Sequence, residues 1–160
     1  LQPNDPQAFM PHGQESVELL ISANPGQPPK PLAKVASGGE LSRISLGIQV
    51  TTAQTSRVPT LVFDEVDVGI GGPTAEIVGS MLRKLGSSGQ VLTVTHLPQV
   101  AAHGHQHLFV RKEQTDESTS TRIDHLSQEG RVQEIARMLG GVDMTEESLA
   151  HARKLMSVAQ

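Results

Sequence analysis

The sequence predicts an α/β fold: a mostly parallel sheet flanked by helices, with a helical C-terminus. Three observations carry this reading. Leu61-Val62-Phe63 is a short, wholly apolar run, as in the middle of a parallel sheet, and Val91 to Thr95 reads as a second buried-type strand. Between them Thr74 to Leu85 reads as a helix, giving strand–helix–strand order. From Arg131 onward the pattern is helical twice over. The 160 residues suffice for a single domain, 1–160, and its three Phe with no Trp or Tyr require an aliphatic core.

Taken in order, residues 1–14 are Pro-rich and aperiodic, an irregular lead-in. Val17 to Ala23 reads as a strand, and residues 24–36 as a Pro-rich loop, extended at Pro28-Pro29. Glu40 to about Gln54 reads as a helix with Leu41, Ile44 and Ile48 on one face and Leu46 and Val50 on others, hence buried on more than one side. The helix Thr74 to Leu85 is stopped by Gly86. His107 to Lys112 and Ser120 to Leu126 suit a hairpin around a polar turn at 114–118. Val132, Ile135, Ala136 and Leu139 share one face of a helix over 131–139, which Gly140-Gly141 ends. Thr145 or Asp143 caps a last helix carrying Leu149, Ala152, Leu155 and Met156.

The bulk composition excludes several classes. A net charge of −4 argues against a basic nucleic-acid footprint over the whole chain. With no cysteine there is neither a disulfide framework nor a Cys-based zinc site, which fits the cytosol. The apolar runs are too short to cross a bilayer, and no secretory leader is visible.

Three segments carry chemistry. Ser37-Gly38-Gly39-Glu40 has the spacing of a capping box, Ser at the N-cap and Glu three residues on. Two adjacent glycines are not explained by that; they let a ligand approach bare N–H groups at a helix N-terminus, where phosphate oxygens are well received. Asp64-Glu65 ends an apolar strand. Either this is a solvated acidic turn, or Asp64 holds Mg²⁺, directly or through water, while Glu65 acts as general base on an attacking water. Asp67 and a glycine-rich turn follow at once. His96 ends the strand starting at Val91, where it is either a polar loop residue or a hydrogen-bond donor to a terminal phosphate oxygen. No G-x-x-x-x-G-K-[ST] phosphate loop is present. The chain begins on Leu1 rather than Met, so an excised piece whose phosphate loop lies upstream is the expectation.

Together these segments follow the chain order of an ATP-binding-cassette ATPase. KVASGGELSRISLGIQV, LVFDEVDVGIGG and VTHLPQVAAHGHQHLFV resemble the DNA-repair members of the SMC-like (structural maintenance of chromosomes) branch, from about His12 to the C-terminus. Ala36 and Glu40 depart from the Leu and Gln of transporter signatures. The resemblance implies the C-terminal lobe of an ABC-type P-loop ATPase head, completed by an N-terminal lobe of the same protein and paired with a second copy of the head. It implies ATP and Mg²⁺ as ligands, with Asp64 serving Mg²⁺, Glu65 the water and His96 the γ-phosphate. Ser37, Gly38, Gly39 and Glu40 would reach the ATP of the opposite head, with Asp67 at the same seam. Hydrolysis would await that completion, the isolated chain being inactive. The whole protein would act on DNA in recombinational double-strand break repair in the bacterial cytoplasm, without a membrane.

Two other readings compete. A non-catalytic docking or dimerisation module would use the glycine-rich helix start and the His96 loop only as a surface. A metal hydrolase would use His103, His105 and His107, which would share a face on a strand. Gly104 disfavours a strand there, so a solvated polar segment is expected instead. Arg111, Lys112 and Arg122 have acidic neighbours, as in an ordinary solvated hairpin.

Overall fold

The computed structural model describes residues 2–3, 11, 13, 15–22, 26–34, 38–53, 58–64, 67, 69–114, 118–141 and 144–159. Residues 2–3, 38–40 and 42 are described by their backbone only. Ser37 and Glu65 lie outside the described residues.

The N-terminal third holds two small antiparallel ladders, β1 (Gln2–Pro3) with β2 (Glu15–Ser16) and β3 (Leu20–Ile21) with β4 (Lys30–Pro31). The strand expected over 17–23 is therefore only two residues long as a ladder, lengthened by one bond from Leu32 N to Leu19 O. Its partner segment contains Pro28, Pro29 and Pro31, which bring no N–H donors to a ladder. A single 3₁₀ turn, Leu32–Lys34, leads toward α1 (Gly38–Ala53).

The centre is a βαβ unit: β5 (Thr60–Phe63), α2 (Gly72–Leu85) and β6 (Gln90–Thr93). The two strands pair in parallel, Thr60 opposite Gln90 and Phe63 opposite Thr93. One face of the pair packs on α2. Phe63 is buried with Ala75, Val78, Leu82 and Leu85, and Leu46 and Val50 of α1 join them. The opposite face is open: Val62 is 67% exposed and Val94 60%. Parallel pairing among the described residues is confined to these two strands.

In α1 the burial is narrower than the pattern implied. Leu46 and Val50 are buried, whereas Leu41 and Ile48 are largely exposed. Helix periodicity marks which residues share a face; it does not say which face meets polypeptide.

A short helix α3 (Pro98–Ala102) joins two cores. Val100 belongs to the first, and Ala102 to a second built by Val132, Ile135 and Ala136 with Ala152, Met156 and Ala159. These last lie on or just beyond α4 (Gln128–Gly140) and α5 (Glu146–Val158). Ser127 caps α4 by accepting from Gly130 N, so the helix starts three residues before the expected Arg131. Gly141, at φ 78°, ends it in a conformation that suits glycine. Thr145 and Ser148 form a reciprocal capping box on α5.

The hairpin β7 (Leu108–Gln114) and β8 (Thr119–His125) runs in continuous register from Leu108–His125 to Gln114–Thr119. On one face Arg111 pairs with Asp124 at 3.1 Å and Arg122 with Glu113 at 3.6 Å, so these arginines are matched by carboxylates. No described helix is long and apolar enough to cross a membrane.

Candidate functional site

Parallel register brings the ends of β5 and β6 out at one edge of the sheet, the place where α/β sheets bind ligands. Asp64 follows Phe63 directly, while the chain beyond β6 continues one residue further in pairing, Val94 N donating to Phe63 O at 2.9 Å. Thr95 and His96 then leave the sheet beside the tip of β5.

One carboxylate oxygen organises this edge. Asp67 Oδ2 accepts from the Thr95 hydroxyl at 2.6 Å and from the His96 backbone N–H at 2.6 Å, and His96 Nδ1 lies 3.0 Å from the same atom. Thr95 Oγ1 in turn accepts from Leu97 N at 3.0 Å, setting the chain up to enter α3 at Pro98. The side chain of Asp67 is 2% exposed and that of His96 is 73% exposed. Burial pushes the Asp67 carboxyl upward, but the Thr95 hydroxyl, the His96 N–H and the His96 ring together hold it below its ordinary value. The result is a buried anion that fixes the loop and leaves the imidazole facing outward.

Asp64 is exposed, and no bond to another described residue engages its carboxylate. Such a group suits Mg²⁺, which takes one or two protein carboxylates and completes its shell with water and phosphate. Among the described residues no group of three potential metal ligands comes together.

The helix that starts at Gly38 and Gly39 is linked to this edge. Arg43 Nη1 donates to Gly69 O at 3.1 Å, tying α1 to the glycine turn that follows Asp67. Gly38, Gly39 and Glu40 do form the first turn of α1. The sequence singled out neither Arg43 nor Thr95. A hydroxyl one residue before a strand-tip histidine was the available signal for Thr95; Arg43 had none.

The histidine segment meets one expectation and departs from another. Residues 103–107 form no strand, so the three imidazoles do not share a face. Nor is the segment simply solvated: His103 is 5% exposed, closes α3, and places Nε2 2.9 Å from Glu76 Oε1. Gly79 of α2 leaves the room this ring occupies, since a Cβ there would lie 2.5 Å from His103 Cδ2. His107 Nδ1 is also buried, and burial depresses the His107 pKa, with the Glu134 carboxylate opposing that shift and Arg131 adding to it. Packing against α2 was invisible in the local alternation of the sequence.

The mixed α/β architecture built on this βαβ unit has the fold of an SMC ATPase head. A solved structure, described as "Structural biochemistry of ATP-driven dimerization and DNA stimulated activation of SMC ATPases", shares the fold with a TM-score of 0.59 at 18% identity, covering 78% of this chain and 81% of that one. In sequence the chain is similar over nearly its whole length to the DNA repair proteins RecN. It is 59% identical over 149 residues to RecN of Vibrio cholerae serotype O1, covering 93% of the chain and 27% of that protein. It is 55% identical over 160 residues to RecN of Xylella fastidiosa strain Temecula1, covering 100% of the chain and 29% of that protein. With RecN of Bacillus subtilis it shares 44% over 147 residues, 92% of the chain and 26% of that protein. The chain thus spans little more than a quarter of the length of these relatives. No family model matches it.

Proposed function

We propose that the chain is the C-terminal half of an SMC-like ATPase head, driving ATP-dependent head pairing and hydrolysis in recombinational repair of DNA double-strand breaks. The observation that supports this best is the Asp67–Thr95–His96 constellation, which holds an exposed imidazole at the sheet edge beside Asp64.

Each residue has a part in this reading. Asp64 holds Mg²⁺, whose charge offsets that building on the terminal phosphates. Glu65 orients the attacking water and takes its proton. His96 meets the γ-phosphate. Its Nδ1 lies 3.0 Å from Asp67 Oδ2, which leaves Nε2 facing outward. The outward Nε2 donates a hydrogen bond to a terminal phosphate oxygen. Gly38 and Gly39, with Ser37 and Glu40, present the N-terminus of α1 to the ATP of a second head. Asp67 serves from within, by aiming the His96 loop.

The partners follow from what is uncovered. The open face at Val62, Leu92 and Val94, and the exposed Leu41 and Ile48, suit an N-terminal lobe of the same polypeptide. A second head and DNA complete the assembly, in the bacterial cytoplasm with the nucleoid.

The test is Glu65→Gln in the full-length protein. ATP binding stays, turnover falls by about 10²–10⁴-fold, the typical share of a general base, and head dimers accumulate in light scattering. Turnover at the wild-type rate would remove Glu65 as the base and favour a docking module.

A further inference from the structure

We propose that the cleft between α2, α3, α4 and α5 is a phosphate-binding pocket separate from the strand-tip site. It encloses about 300 Å³ and is lined by Arg83, Gly104, His105, Gln128, Arg131 and Met156. Arg83 lies in the last turn of α2, about 16 Å along the axis from Gly72, and the pocket also meets Ala102, at the end of α3 opposite the His96 loop.

Two guanidinium groups meet here without a carboxylate. Among the described residues Arg111, Arg122, Arg137 and Arg153 each pair with an acid, whereas Arg83 and Arg131 pair with none, as does Arg43 on α1, which bonds to Gly69 O. Their bonds go instead to the carbonyls that end α3. Arg83 Nη1 donates to His103 O at 2.8 Å, and Arg131 donates to the carbonyls of Ala102, Gly104 and His105. Carbonyl dipoles orient the two forks but do not cancel two full charges. Donors also remain: Arg131 Nε is buried without a partner, and Arg83 spends one of its five N–H groups. Burial, and the charge of Arg83 beside it, hold Arg131 below its ordinary value, the response of a cation facing another cation.

Met156 and Ala102 give the cleft an apolar wall, and two further polar groups face it. Gln128 is the first residue of α4, whose N-terminus carries partial positive charge, and His105 adds an imidazole. Donors converging from α2 and α4 suit a tetrahedral oxyanion, whose oxygens point in several directions, better than a planar carboxylate.

The experiment is calorimetric titration of the full-length protein with inorganic phosphate at constant ionic strength, in wild type, Gln128→Glu and Arg83→Gln. Gln128→Glu sets a carboxylate at the rim on the first turn of α4, where acidic side chains suit the helix, and leaves every arginine–carbonyl bond in place. Phosphate binding weakens about tenfold or more in both variants. Phosphate held at the nucleotide site contributes alike to all three proteins and cancels. Competition by a short DNA duplex assigns the ligand to a nucleic-acid backbone; its absence assigns it to a small phosphate. Identical isotherms in wild type and Gln128→Glu overturn the proposal. So does a wild type that binds none, the result if an acidic side chain of the remaining polypeptide fills the cleft.

Discussion

Replacing Asp67 by Ala removes one oxygen on which three contacts converge. Thr95 Oγ1 and His96 N–H each lose an acceptor at 2.6 Å, in a place where the carboxylate was 2% exposed. A buried donor left unpaired costs about 1–3 kcal/mol. Two are lost, but the desolvation cost of the carboxylate is released as well, which offsets part. The net is about 2 kcal/mol of local stability, or about thirtyfold in an opening equilibrium. Hydrogen exchange of the His96 amide in the full-length protein reads this directly: protection falls about thirtyfold while β7 and β8 are unaffected. Unchanged protection at His96 would refute the idea that Asp67 fixes the loop. The pH dependence gives a second check. The folded-state pKa of Asp67 is depressed, so its stabilisation is complete above the ordinary carboxylate value, about 4, and is lost as pH falls through the lower folded value. Protection at His96, corrected for intrinsic rate, therefore declines below about pH 4 in wild type and loses that acid limb in Asp67→Asn.

Two glycine substitutions should differ in sign. Gly79→Ala drives a methyl against His103 and breaks its contact with Glu76, lowering stability in urea by about 1–3 kcal/mol despite better helix propensity. Gly47→Ala, with nothing within 4 Å, raises it by about 0.5–1 kcal/mol; equal effects would mean that His103 is not tightly seated. Ser37→Arg in the full-length protein spares ATP binding and blocks ATP-dependent dimerisation in light scattering, because bulk and charge enter the opposing phosphate site; normal dimerisation would exclude that role.

Local patterns disclosed elements whose signals are local. The hairpin, the cap at Thr145 and the stop at Gly86 rest on periodicity and end residues, and they stand. Legibility failed where burial depends on distant chain. Leu41 and Ile48 look like core on a helical wheel, yet among the described residues they stay 42% and 46% exposed. His103 looks like a loop residue, yet α2 opens a slot for it at Gly79. At the candidate site, residue identity at the strand tips was readable because parallel register is forced once two strands flank a helix. That Asp67 turns inward to the His96 loop was not, since a glycine-rich turn carries no pattern that fixes its direction.

The single bond from Arg43 to Gly69 has a bearing on timing. It joins an exposed side chain to an exposed carbonyl, so it contributes only about 0.5–1.5 kcal/mol. A link of that strength breaks and reforms by thermal motion and cannot act as a bolt. Gly69 sits at φ 75°, in backbone that tolerates large excursions. In the proposed cycle α1 answers to one nucleotide and the turn at Gly69 belongs to the other, so this contact behaves as a fuse between two clocks: intact while both heads are in step, and the first connection to yield when one runs ahead.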